Sequence, residues 1–342
     1  MATIATTVST YADVAKRFSA TDKGKTLGIV EILNRTNAVL DDMLTMECND
    51  GTGHKTTVRT GIPSATWRLL NYGVPRVKTR TAAVRDTTGM LEVYSEIDKD
   101  LADLSGNSDQ YRLSEAQGIM EGMSQQMAST VFYGNTLVNP ERFMGFAPRY
   151  SDGLASRAAS GANVFDMAGT DPTSNTSAWL ITWGEQAAHG LFPKGSKAGL
   201  NHRNLGEVTL DDGAGGQYQG YRDHFKWDIG LTVRDWRTCA RVANIDTDQL
   251  TDTAYLAKLL RVMIDASEAL PIANEDSNAM GGRRVWYVNK TVRSALRNAI
   301  LNKISYNLTW ENWMGKRVVM FDGLPVRRVD ALLNTEAVVP FV

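Results

Sequence analysis

The residues of this chain best suited to chemistry are four histidines, two cysteines and a pair of adjacent aspartates, and their spacing argues against a reaction. His54, His189, His202 and His224 have no histidine or cysteine at the short separations that metal ligands need. Cys48 and Cys239 are too few and too far apart for a disulfide framework or a zinc site, so they read as reduced thiols. Neither a G-x-S-x-G nucleophile elbow nor an H-E-x-x-H pair occurs. Asp211 and Asp212 are neighbours, so in a strand their carboxylates point to opposite faces and cannot share a proton or a metal. A turn is the better use for them. Gly24, Lys25 and Thr26 match the end of a phosphate-binding loop, but Ser19 stands where its first glycine belongs. Gly213, Gly215 and Gly216 are followed by Tyr218–Tyr221, a strand-like run, where a phosphate cradle needs a helix. No catalytic, metal or cofactor residue is therefore expected.

Charge is organised in two blocks instead. Lys55, Arg59, Arg68, Arg76, Lys78, Arg80 and Arg85 fall within Gly51–Arg85, which holds no Asp or Glu. Asp86, Glu92, Glu96, Asp98, Asp100 and Asp103 follow, with Lys99 among them. In the basic block Thr56–Thr60 and Val74–Val84 alternate as strands between Gly and Pro punctuation, which predicts a long two-stranded ribbon. An isolated hairpin is marginal in water. Fully extended, its strands would reach about 55 Å, so the ribbon needs a neighbour to lie on. Pairing between subunits is the economical arrangement, with Glu92, Glu96, Asp98, Asp100, Glu115 and Glu121 as acidic partners. Two alternatives remain open: nucleic-acid binding by the 51–85 stretch, with Trp67 and Tyr72 stacking on bases, and an enzyme site on the 200–246 strands.

The elements around these blocks mix helix and strand. Leu113, Ala116, Met120, Met123, Met127 and Val131 recur at steps of three and four, predicting a helix from about 109 to 133, roughly 36 Å long. Gly134 and Asn135 are expected to end it through left-handed backbone. Residues 151–177 read as a surface loop, and Trp179–Trp183 opens a strand-rich run in which Phe225, Trp227, Ile229, Leu231 and Val233 share one sheet face. Asp223, Asp228 and Asp235 stand among Arg222, Arg234, Arg237 and Arg241, as ion pairs on the polar face would. Thr251–Leu270 is a helix, Val285–Val288 a buried strand before a helix bearing Val292, Leu296, Ala299 and Ile300. Asp322 and Gly323 between Val318–Phe321 and Leu324–Val329 are a hairpin signal.

Composition bounds the classes. A chain of 342 residues with 43% hydrophobic and 22% charged residues buries a core and divides into two domains. A net charge of −1 argues against a dedicated DNA-binding protein and suits a container whose wall must not grip phosphate. The amino terminus lacks the basic and apolar regions of a signal peptide, and no run of eighteen apolar residues spans a membrane.

The long phrases FYGNTLVNPERFMGFAPRY (132–150), WLITWGEQAAHGLFPKGSKAG (179–199) and YQGYRDHFKWDIGLTVRDWRTCARVANID (218–246) resemble the major capsid proteins of tailed bacteriophages, especially short-tailed ones. The resemblance implies an α+β phage capsid fold of the Johnson, or Hong Kong phage, type. Its parts would be an amino-terminal arm (1–45), an extended loop (46–95), a peripheral domain (96–250) with a spine helix (109–133) and a sheet (178–246), and an axial domain (251–342). Strands precede the axial-like segment here, so the order is permuted from the usual one. The resemblance further implies a structural protein, not an enzyme, forming pentamers and hexamers of an icosahedral head around double-stranded DNA bound without sequence specificity. Portal protein, scaffold or protease and cement protein are the implied partners, non-covalent contacts the default, and assembly in the host cytoplasm the implied setting, with the virion capsid as destination.

Overall fold

The computed structural model describes residues 37–341 apart from 52, 62, 105–107, 155–158, 213, 272–281, 302–307 and 314–315. The first thirty-six residues of the expected arm thus lie outside the described residues, as do Gly24–Thr26. In chain order the elements are α1 (Val39–Asp42), β1 (Thr45–Glu47), β2 (His54–Gly61), β3 (Arg80–Asp86), β4 (Thr88–Asp98), α2 (Lys99–Leu104) and α3 (Ser108–Tyr133). There follow α4 (Phe146–Arg149), β5 (Val164–Asp166), β6 (Asn175–Trp183), β7 (Ala188–Phe192), β8 (Leu200–Asp211), β9 (Gln217–Val233) and β10 (Cys239–Asp246). The last are α5 (Thr253–Glu268), β11 (Arg283–Val288), α6 (Lys290–Leu301), β12 (Leu308–Trp313), β13 (Lys316–Phe321) and β14 (Leu324–Arg328). The fold is mixed α+β. Two compact units divide it, one of Met90–Met127 and Gly199–Asp228, the other of Asn37–Gly89, Ala128–Ala198 and Ile229–Val342.

The larger unit is built on β6, which is buried at every position because both its edges and both its faces are covered. β10 and β11 flank it antiparallel, Cys239 opposite Ile181 and Val285 opposite Ile181. β14 runs parallel to β11, and β13 and β12 extend the sheet antiparallel. On one face Leu256, Leu259, Leu260 and Met263 of α5 and Val292, Leu296 and Ala299 of α6 meet Leu180, Val242, Trp286, Val288, Val319, Phe321 and Val326. Each of the Val, Leu, Met and Phe side chains among them contributes about 1.5–3 kcal/mol of apolar burial. Asp252 accepts the Ala254 amide and Asn289 the Val292 amide, capping the two helices. Phe132, Phe146, Trp179, Trp183 and Tyr287 form an aromatic cluster in the same unit, with ring centroids 5.9–6.5 Å apart along its contacts. Asp322 (φ 50°) and Gly323 (φ 72°) make the tight turn between β13 and β14 that their sequence signals.

In the smaller unit β8 and β9 form an antiparallel pair from Leu200 opposite Trp227 to Asp211 opposite Gln217. Asp212 closes their turn by accepting the Ala214 and Gly216 amides, each at 2.8 Å. β4 is hydrogen-bonded to β9, and at Gly220 a Cβ would lie 2.8 Å from the Ile97 carbonyl oxygen, so only glycine permits that approach. Ile97, Leu101, Ala102 and Tyr111 make a small core with Tyr221 against it.

Three local expectations change. The α3 stripe is buried at Met123, Met127 and Val131, but Leu113 is exposed and Tyr111 is the buried anchor near the amino end. Gly134 is not left-handed; a Cβ there would lie 2.6 Å from the Thr130 carbonyl oxygen, and this close approach is what demands glycine. The ribbon is a ladder only near its root, from His54 opposite Asp86 to Gly61 opposite Arg80. Val74–Thr79 forms no strand: Pro75 has no amide to donate, and alternation without a partner makes no ladder.

Candidate assembly surfaces

The root of the ribbon is tied by polar contacts. Asn49 accepts the Lys55 amide at 2.8 Å and donates to the Lys55 carbonyl at 2.6 Å, and Arg85 pairs with Asp50 at 3.2 Å. Asp86, at the end of β3, accepts from Arg149 Nη2 at 2.7 Å and from Thr232 Oγ1 at 2.5 Å. A Cβ on Gly53 would lie 2.5 Å from the Asp86 carbonyl oxygen, so the two strands close on bare backbone.

Beyond the ladder the loop is exposed from Ser64 to Arg85, and it carries apolar side chains that an isolated subunit leaves in water. Trp67 is 98% exposed and Leu70 86%, with Leu69, Tyr72, Val74 and Val77 also exposed. A single exposed leucine is ordinary, but a tip bearing Trp, two Leu and Tyr together is an unusual concentration of apolar surface in water. Its turn is fixed by the Tyr72 amide on the Leu69 carbonyl at 3.2 Å and by Asn71 at φ 69°. Among the described residues Arg68, Arg76, Lys78 and Arg80 make no ion pair, whereas Lys55 is exposed at the root. The Arg59 side chain lies outside what the structure describes.

The acidic residues are placed unequally. Glu92 lies 3.1 Å from Lys226 Nζ and 3.2 Å from His224 Nε2, and the Lys226 hydrogen bond is the main cause of its lowered pKa. Glu96 pairs with Arg222 at 2.5 Å. These acids are thus taken by β9 cations of their own chain. Asp98 accepts the Asp100 amide at 2.9 Å. Glu115 and Glu121 are half-buried on α3, with Glu121 accepting from Gln125 Nε2 at 2.7 Å. The expected pairs of Asp223 and Arg241 go elsewhere: Asp223 takes Arg112 through both carboxylate oxygens and His202 at 2.9 Å, and buried Arg241 pairs with Glu336 at 2.8 Å. These partners lie far apart in sequence, and no local pattern signals them. Asp42, 1% exposed at its side chain, likewise gathers Arg283, Arg327 and the Tyr287 hydroxyl.

Among the described residues no cluster of three or more His, Cys, Asp or Glu is arranged to hold a metal ion, and no helix is long and apolar enough to cross a membrane. The family model of the Major capsid protein GP7 matches residues 21–340. The chain belongs to this family. Major capsid protein GP7 is a structural component of a phage capsid shell and not an enzyme. A chain in the near-atomic structure of bacteriophage Epsilon15 is 39% identical and superposes with a TM-score of 0.80, covering 99% of each chain. The capsid of bacteriophage JBD30 is 10% identical at a TM-score of 0.48, covering 87% of this chain and 91% of that one. The capsid of the native GTA particle is 10% identical at 0.45, covering 65% and 94%. No curated protein matches the chain.

Proposed function

We propose that this capsid protein forms pentamers and hexamers that close as an icosahedral head around double-stranded DNA, and that the 63–79 loop is the clasp between subunits. Residues 46–95 act as the extended loop, 96–250 as the peripheral domain and 251–342 as the axial domain, in permuted order. The observation that carries the clasp is Trp67, 98% exposed at the tip of a basic loop whose Arg68, Arg76 and Lys78 make no ion pair among the described residues. Apolar area for affinity and charge for register is the usual division of work at an interface. Asp98, Asp100, Glu115 and Glu121 are the acids offered to a neighbour's Lys55, Arg59, Arg68, Arg76, Lys78, Arg80 and Arg85. Glu92, Glu96, Glu115 and Glu121 serve by exchanging the partners they hold within the subunit. Many weak contacts suffice, because ring closure makes them act together. DNA is enclosed without sequence recognition, assembly takes place in the host cytoplasm, and portal protein, scaffold or protease and cement protein complete the head.

The test is electron microscopy with sedimentation of the full chain and of a variant in which a short Gly-Ser link replaces residues 63–79. Shells or capsomers from the full chain and folded, unassembled subunits from the variant support the clasp. Equal assembly of both overturns it.

A further inference from the structure

A clasp needs a fixed root, and the root of this loop packs against a histidine buried away from water. His189, on β7, is 1% exposed, and among the described residues neither ring nitrogen has a well-formed hydrogen bond, the Gly184 backbone being the one polar group that bears on the ring as an acceptor. A neutral imidazole carries one N–H, and a second proton would place an unpaired charge in the same dry site. Its ring meets the His54 ring edge to face, with centroids 5.7 Å apart. His54 opens β2 opposite Asp86, and His189 stands opposite Thr232 on β9. Thr232 in turn donates to Asp86.

Protonation has little to compensate it. Asp86 is the carboxylate that favours charge on both rings, and it is already held by Arg149 and Thr232. Arg234, just past β9, opposes charge on both. The Asn49 amide points at His54 Nδ1, 3.4 Å away. In the next rung of the ladder Lys55 is exposed and Arg85 faces Asp50. Burial, then the neighbouring His54, holds His189 down at about 4, with the Gly184 backbone acceptor pulling the other way. Burial and then Arg234 lower His54.

We propose that the His54–His189 contact is an acid-released latch: with both rings neutral it keeps the root of the extended loop on β7 and β9, and protonation of His189 opens it. An open His189 takes up its proton near the ordinary histidine value of 6.5, the closed one only near 4. The latch is therefore fully closed above about pH 6.5 and loosens as pH falls toward 4. Linkage gives about a 30-fold rise in the open fraction between pH 7.5 and 5. A weaker subunit clasp in acid follows only under the capsid reading; the latch itself is a property of one chain.

Hydrogen exchange read by mass spectrometry on the full chain tests it, each rate being scaled to the same peptide unfolded at that pH. Amides of 54–58 and 80–86 are expected to lose protection about 30-fold from pH 7.5 to 5 while β6 amides hold. His189→Phe removes the titrating group and should abolish the difference, with His189→Gln as the second variant should the first not fold. His202→Gln should behave as the native chain. A root whose protection ignores pH, falls equally in a folded His189 variant, or falls together with β6 overturns the proposal. Failure to form shells leaves this readout untouched.

Discussion

Arg149 Nη2 lies 2.7 Å from Asp86 Oδ1, joining α4, the short helix after α3, to the end of β3. The Asp86 side chain is 5% exposed and that of Arg149 18%, so each is the other's main compensation for leaving water. Asp86→Ala removes this partner and that of Thr232, and strands a guanidinium. Urea unfolding of unassembled subunits should show a loss of about 3–5 kcal/mol. A loss below 1 kcal/mol would mean that water reaches Arg149.

A second buried carboxylate gives a sharper test. Glu336 accepts from Arg241 Nη2 at 2.8 Å, from Ser177 Oγ at 2.5 Å and from the Tyr133 hydroxyl, which fixes the chain's last described segment beside β6 and β10. Burial, then the Glu336 charge, pushes the Tyr133 phenol up, so it stays a donor throughout the working range. Tyr133→Phe should cost about 1.5–3 kcal/mol, as for a hydrogen bond to a charged group. In a double-mutant cycle with Glu336→Gln most of that cost should vanish; additive losses would separate the two residues energetically.

The exposed counterpart behaves differently. Glu92 has its carboxyl pKa lowered first by the Lys226 hydrogen bond and also by His224, but it is 36% exposed and solvent screens the pair. A depressed carboxyl stabilises the fold above its unfolded value and loses that stabilisation as pH falls through the folded one, so Glu92 contributes at neutral pH and fades below about pH 4.5. Glu92→Gln should lower the urea midpoint slightly at pH 7 in low salt, and by progressively less as pH falls below 4.5 through the carboxyl's folded value. A difference that persists in acid would assign the effect to packing on β9.

Glycine offers a steric pair at the root. A Cβ at Gly53 would meet the Asp86 carbonyl oxygen at 2.5 Å, whereas one at Gly51 meets nothing within 4 Å. Gly53→Ala should therefore cost about 1–3 kcal/mol through backbone displacement, and Gly51→Ala nothing measurable. Equal stability of the two variants would show that the strands separate without cost.

What was legible in the sequence follows from range. The β13–β14 turn is written in two adjacent residues, Asp322 and Gly323, whose positive φ angles a short window signals. The long helix is legible for the same reason, but its buried face near the amino end is not. Tyr111 is chosen over Leu113 by Ile97 and Leu101, which periodicity within the helix cannot see. The charge blocks are plain in the composition, yet Glu92 and Glu96 answer to Lys226 and Arg222, more than a hundred positions away. Apolar character at the loop tip was visible only as Trp67 and Tyr72, because exposure is a property of the fold.

The tip residue itself separates folding from assembly. Trp67 is 98% exposed, so truncating it removes almost no intramolecular contact, and Trp67→Ser should leave the urea midpoint of isolated subunits within about 0.5 kcal/mol. At an interface a tryptophan is often one of the few residues worth about 2 kcal/mol or more. If the loop is the proposed clasp, a shell repeats that loss at every copy, so the concentration at which subunits assemble should rise by at least about thirtyfold, with the fold intact. Arg68→Ser beside it is expected to act mainly through charge, shifting assembly in low salt and converging with the native chain as salt screens it. Sedimentation across protein and salt concentration reads both. Native assembly by Trp67→Ser would remove the tip from the interface, and unfolding of the isolated variant would mean that the tip packs on its own chain.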